Sequence, residues 1–156
     1  MKRLEKESKE MSGDSTLEVF LKALKKKHWK YELINDGNRI VFTKRKNTFF
    51  ADRDSEDDFV IIYFLHNIYI NMEDDSRLSL LKRAVNFTNT FCGVTTYYDN
   101  NESEDIVFVM SRKTIYFVTE NPNFEIELEM VLQDCLAAQF LLKGFIKKYK
   151  CKRRRQ

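Results

Sequence analysis

The apolar residues of this chain change their spacing several times from one end to the other, and the order of those changes restricts the folds open to it. A helical spacing opens the sequence. A meander of short strands then reads over residues 31–70, alternating at Arg39 to Thr43 and continuously apolar at Phe59 to Leu65, and a second helical stretch follows over 75–92. Two further strand-like stretches lead to a long helical segment from residue 124. The order α-β-β-β-β-α-β-β-α describes an α+β domain, an antiparallel twisted sheet packed with three helices as a sandwich.

Local signals fix the pieces. Ser15-Thr16-Leu17-Glu18 is a capping-box pattern, and Leu17, Phe20, Leu21 and Leu24 recur on one helical face, so a helix is expected over 15–28. Lys22, Lys25, Lys26 and Lys27 make its other face basic, and His28 stands where it should end. Short strands are expected over 31–34, 39–43 and 48–51, the first two joined by the turn Asn35-Asp36-Gly37-Asn38. Phe59 to Leu65 reads as a central strand, which Asn67 to Asn71 either extends or leaves. Asp74 or Asp75 caps the second helix. Its inward stripe is Leu78, Leu81, Val85, Thr88 and Cys92, and Gly93 is its C′ residue. Val94 to Tyr98 is a strand, and Asp99 to Asp105 a polar loop. Ile106 to Thr119 is long for one strand and is expected to break or bend at Ser111-Arg112-Lys113. After Asn121-Pro122-Asn123, the final helix spans Phe124 to Tyr149. Its apolar residues Met130, Val131, Cys135, Leu136, Phe140, Leu142, Phe145 and Ile146 cover more than one stripe. Such a helix is either deeply buried or faces another subunit or partner.

Composition sets the remaining bounds. A chain of 156 residues with 43% apolar residues and 13 phenylalanines can bury one substantial core, so a single domain is expected over 14–149. Residues 1–13 read as a charged, disordered lead-in and 150–156 as a basic tail. The N-terminus lacks the apolar core of a secretory signal, and no apolar run is long enough to span a bilayer. Cys92, Cys135 and Cys151 form no CxxC pair and suit a reducing compartment, so a cytoplasmic location is expected. Charge is uneven. The last ten residues hold seven cations, which leaves the rest of the chain at −4 against +3 for the whole.

These segments resemble the YbjN family, whose fold is similar to that of the type III secretion chaperones. The opening helix followed by Tyr31 to Phe42 carries part of the resemblance. So do the strand Phe59-Val60-Ile61-Ile62-Tyr63, the helix Leu80 to Phe91 with Ala84, Asn86 and Asn89 and its following strand, and the long last helix with Phe140. It covers residues 15–148. It implies helices packed on a twisted antiparallel sheet, no catalytic centre, no cofactor, and binding to protein partners. The similar chaperones hold extended client segments, often as homodimers.

No motif along the chain assembles a reaction. No GxxxxGK[ST], GxGxxG or GxSxG occurs. Asp99 to Asp105 alternates oxygens like a calcium loop. The turn glycine is missing at 104, however, and the bidentate acid is replaced by Met110; Asp52 to Asp58 fails in the same way, with Tyr63 at the last position. Both stretches read as solvated loops, with no metal. His28 and His66 read as structural residues, Cys135 as a packed thiol, and Cys151 as a thiol whose pKa the surrounding cations would lower. The expectation is a protein-binding module that is not an enzyme. Its partner surface is Phe140, Leu141, Phe145 and Ile146. The alternative is nucleic-acid binding by Lys147, Lys148, Lys150, Lys152, Arg153, Arg154 and Arg155, with the basic first helix contributing.

Overall fold

The structure is a computed structural model and describes residues 15–54 and 56–153, with side chains up to residue 150. The expected lead-in, Arg154, Arg155 and the side chains of Cys151, Lys152 and Arg153 lie outside the described residues. Helix α1 (Thr16–Lys26) leads into β1 (Lys30–Ile34), β2 (Arg39–Lys44), β3 (Asn47–Asp52) and β4 (Phe59–Asn71). Helix α2 (Asp75–Phe91), β5 (Thr95–Asn101) and β6 (Ile106–Tyr116) follow. A 3-10 turn (Val118–Glu120) precedes α3 (Phe124–Arg153). The six strands form one antiparallel sheet in the order β1-β2-β3-β4-β6-β5. The expected α+β architecture and element order are those of the structure.

Chain chemistry explains the element ends. Both halves of the capping box at Ser15 and Glu18 form. At the other end of α1, His28 takes a left-handed conformation at φ 55°. Its N–H donates to the Lys25 carbonyl at 3.0 Å, and that of Trp29 to Leu24 at 3.0 Å, the paired bonds of a Schellman cap. That cap throws Trp29 back over Phe42, their rings stacked with centroids 6.1 Å apart. Asp74 caps α2 through the Arg77 N–H at 3.0 Å.

Alternation along each strand puts one face against the helices. Ile40, Phe42, Phe49, Val60, Ile62, Phe64 and Ile115 are buried with Phe20 and Leu24 of α1 and with Leu128, Leu132 and Cys135 of α3. A second apolar cluster joins Ile70 of β4, Val107 and Val109 of β6, Leu81 and Val85 of α2, and Leu142 of α3. Between β4 and β6 the pairing jumps from His66–Val109 to Tyr69–Phe108, so Asn67 and Ile68 are extra. Two extra residues are an even number. The alternation therefore survives the bulge, and Ile70 still faces the helices.

Residues 67–71 continue β4, one of the two courses open to them, with Asn67 and Ile68 forming the bulge. Several other local expectations change. Residues 106–116 form one unbroken strand, because Ser111 is buried and hydrogen-bonded on the core face. The chain turns instead at Phe117, which is left-handed at φ 53°. The polar loop shortens to residues 102–105, since β5 continues to Asn101. Gly93 follows an extended Cys92 rather than supplying a left-handed cap, and a Cβ there would run into the carboxylate of Asp134 on α3. The final helix continues past Tyr149 to Arg153. Its wide apolar surface is partly core and partly surface. Val131, Cys135 and Leu142 are buried, whereas Met130 is 60% exposed and Phe140 78%.

Candidate functional site

All three helices lie on one side of the sheet, so among the described residues nothing covers its other side. The strand register defines that open face. Val41 pairs with Phe50, Phe50 with Tyr63, Leu65 with Met110, Tyr69 with Phe108, and Tyr97 with Met110. An open sheet face ordinarily alternates to polar residues. Here the outward positions of β4 and β6 remain largely aromatic and aliphatic, and Phe50 of β3 and Tyr97 of β5 flank them. They line a groove of about 470 Å³ that runs from Phe50 and Tyr63 to Phe108 and Met110. The groove is within the size range of ligand-binding clefts.

Polar groups fringe the groove. Arg39 and Asp52 stand opposite each other on β2 and β3, with Nε to Oδ1 at 2.6 Å and Nη2 to Oδ2 at 2.7 Å. This fork raises the Arg39 pKa through the hydrogen bond to Asp52, against the cost of burial. The Tyr97 hydroxyl donates to the Met110 sulfur at 3.7 Å, and the Arg112 guanidinium lies 5.4 Å from the Tyr97 ring centre. Burial foremost raises the Tyr97 pKa, with Tyr63 adding to it and Arg112 opposing, so the phenol stays neutral at physiological pH. The groove thus presents aromatic surface with hydrogen-bonding groups at its border.

The residues expected to meet a partner lie elsewhere, on α3. Phe140 is exposed. Phe145 is half-buried between Phe87 of α2 and Tyr149, with ring centroids 5.1 and 4.5 Å away. Ile146 packs against the second apolar cluster. Phe140, Leu141 and Phe145 border a smaller groove of about 280 Å³ with Phe87 and Lys148. The structure therefore divides the four: Phe140 is exposed and Leu141 half-buried, while Phe145 and Ile146 are largely committed to internal packing.

The basic residues divide as well. Lys147 and Lys150 line a groove of about 500 Å³ together with Lys143 and with Arg77 from α2, at the place where β4 bulges. Lys148 faces the other side of α3, beside Phe140. Lys26 and Lys27 of the basic first helix are drawn to α3 by Glu125 and Glu129, at 3.0 and 2.9 Å. Tyr149 is packed on Phe145 and lies beneath Arg83, whose guanidinium is 4.6 Å from its ring centre.

His66 is wholly buried. Its Nε2 lies 2.7 Å from the Ser111 hydroxyl, which lies 2.7 Å from the Thr96 hydroxyl. Nδ1 has no partner. Burial, and then the charge of Lys143, lower its pKa to about 4. The imidazole is therefore neutral near pH 7 and out of a substrate's reach. Cys135 is buried, which pushes its thiol up to about 12, with Asp134 and Cys92 adding to the effect. No three His, Cys, Asp or Glu side chains gather to hold a metal ion among the described residues.

The acidic segment before β4 does contain a residue whose role the sequence did not announce. Burial alone would raise the Asp58 pKa, but hydrogen bonds from Thr119 N–H and hydroxyl and from the Thr16 hydroxyl, at 2.9, 2.8 and 3.0 Å, lower it. Asp58 thus ties the first turn of α1 to the 3-10 turn. The nearest signal in the sequence was its position just before the central strand. Asp54 and Asn101 instead accept from backbone N–H groups two residues on, at 3.1 and 3.2 Å, as turn-forming side chains do.

No protein-family model matches this chain, and no curated protein matches it. Its fold is similar to that in a crystal structure of an uncharacterized protein from Methanothermobacter thermautotrophicus. The TM-score is 0.62 and the identity 15%, over 86% of this chain and 98% of that one. The likeness shows the fold alone. No helix among the described residues is long and apolar enough to cross a membrane.

Proposed function

We propose that this protein is a non-catalytic binding module that takes up an apolar segment of a protein partner on the open face of its sheet. One observation carries the reading: the outward positions of the central strands β4 and β6 keep mostly aromatic and aliphatic side chains where solvent would favour polar ones, and with Phe50 of β3 and Tyr97 of β5 they form a groove of about 470 Å³. Aromatic rings bind apolar side chains over a large area at low entropic cost, and a polar rim sets orientation. The buried state of His66 and Ser111 supports a non-enzymatic reading. The YbjN-like resemblance and its implied client binding agree with it. Phe140 on α3 is a secondary contact on the opposite side of the molecule.

The test is a library of twelve-residue peptides screened for direct binding, followed by Tyr63→Lys, Phe108→Lys and Phe140→Lys variants. We expect selected peptides to be rich in aromatic and aliphatic residues, and both groove variants to weaken them at least tenfold. Phe140→Lys should change their affinity little. Peptides that bind all variants equally, or a library from which nothing binds, would remove the proposal.

A further inference from the structure

The groove at the β4 bulge sets an apolar floor beneath a concentration of positive charge that the open sheet face lacks. Lys143, Lys147 and Lys150 recur at intervals of four and three residues and so share one side of α3. Arg77 faces them from the first turns of α2. Asp74 draws on Arg77 at 3.7 Å, but no ion pair joins any of the three lysines to a carboxylate among the described residues. Ile68, Leu80 and Ile146 supply the apolar wall.

Compensation of the helix dipole does not account for this arrangement. That effect falls off within the last turn. Because α3 continues to Arg153, Lys143 and Lys147 stand well before its end. Like charges held on one helix face also repel one another. An anion between α3 and α2 would relieve that repulsion. The cavity, about 500 Å³, is of the size that takes a small organic ligand. A phosphate group alone would answer the charge but leave the apolar wall wet. A simple fatty chain would cover the wall but leave the three lysines unanswered.

We infer that this groove is a binding site for a small amphiphilic phosphate, a phosphomonoester carried on an apolar body. The phosphate would lie between Lys143, Lys147 and Arg77, with Lys150 at the rim, and the apolar body against Leu80 and Ile68. The charge of a phosphomonoester, between about −1.5 and −2 near neutral pH, suits several cations better than one carboxylate would. This site meets the open sheet face only at Tyr69, which lines both grooves, and does not depend on the function proposed there.

Calorimetric titration of the full chain with n-octyl phosphate, below its aggregation concentration, tests the inference. Inorganic phosphate, phosphatidic acid vesicles and a single-stranded oligonucleotide serve as comparison probes. We expect one saturable site that binds octyl phosphate at least tenfold tighter than inorganic phosphate. Lys143→Ala with Lys147→Ala should weaken octyl phosphate at least tenfold. Leu80→Ser should reduce that preference over inorganic phosphate, and Lys148→Ala, on the other side of the helix, should leave it unchanged. All four substituted side chains are at least partly solvent-accessible, and far-ultraviolet circular dichroism would check that each variant is folded. Equal affinity for the two phosphates, or no binding by either, would overturn the site. Binding to vesicles without binding to dispersed octyl phosphate would place the anion on a membrane surface and overturn it as well. So would an oligonucleotide that binds more tightly and is lost with Lys148→Ala.

Discussion

His66 on β4 and Ser111 on β6 are diagonal neighbours across two paired strands, with Nε2 and Oγ 2.7 Å apart and both side chains fully buried. Thr96 on β5 extends the contact, and Asn89 of α2 holds the backbone N–H and carbonyl of Thr96 at 2.7 and 2.8 Å. One polar chain thus crosses from the sheet to α2 between the two apolar clusters. Each link is satisfied except Nδ1 of His66.

That arrangement makes stability depend on pH in a defined window. The folded protein holds His66 neutral down to about pH 4, whereas an unfolded chain protonates it near 6.5. The unfolded state therefore binds the extra proton as pH falls between those values. The stabilisation is fully present above pH 6.5 and is lost progressively down to about pH 4. The shift corresponds to an effect on the order of 3 kcal/mol. Urea unfolding measured across this range should show it, and His66→Gln should flatten the slope while leaving any steeper loss below pH 4.

Asp58 acts in a lower window. Its folded pKa lies below the usual carboxylate value, so its contribution is present above about pH 4 and disappears as pH falls through the folded pKa. Asp58→Ala removes three hydrogen bonds that join α1 to the turn before α3, and leaves the N–H of Thr119 without that acceptor. We expect a loss of about 2 kcal/mol near neutral pH. Asp58→Asn should cost less, and equilibrium denaturation of both variants would check the ranking.

The cap of α1 offers a change in the opposite direction. His28 is left-handed at a C′ position where glycine meets no Cβ penalty. Its side chain is exposed and enters none of the contacts that hold the helix end. His28→Gly should therefore stabilise the protein by about 0.5 to 1 kcal/mol, seen as a higher melting temperature by calorimetry. A destabilised variant would show that the imidazole, not the backbone, holds this turn.

The elements were legible because each carried its own local signal. Ser15 and Glu18 announced α1, Asn35 to Asn38 the first hairpin, and Asp74 the start of α2. What stayed hidden depended on partners far away in the chain. Ser111-Arg112-Lys113 looked like a break because its polar residues had no visible counterpart. Burying Ser111 required His66 from another strand and Thr96 from a third. Arg77 could not be grouped with Lys143 and Lys147 until the packing of α2 on α3 brought them to one groove. The open sheet face was present as alternating residues in each strand. Those residues became a surface only when register aligned Phe50, Tyr63, Arg112 and Thr95 across it, and when all three helices took the other side.

The polar chain from His66 to Asn89 also divides the molecule into regions that need not open together. Beyond it, the end of β4, the start of β6, α2 and the last turns of α3 share an apolar cluster that takes nothing from α1 or β1 to β3. Such a region is a natural unit of partial unfolding, able to lose its amide protection while the larger cluster stays closed. The cationic groove is built wholly on that unit. Access to it, and the lifetime of anything held there, would be governed by the fraying of a subdomain rather than by the movement of a single side chain.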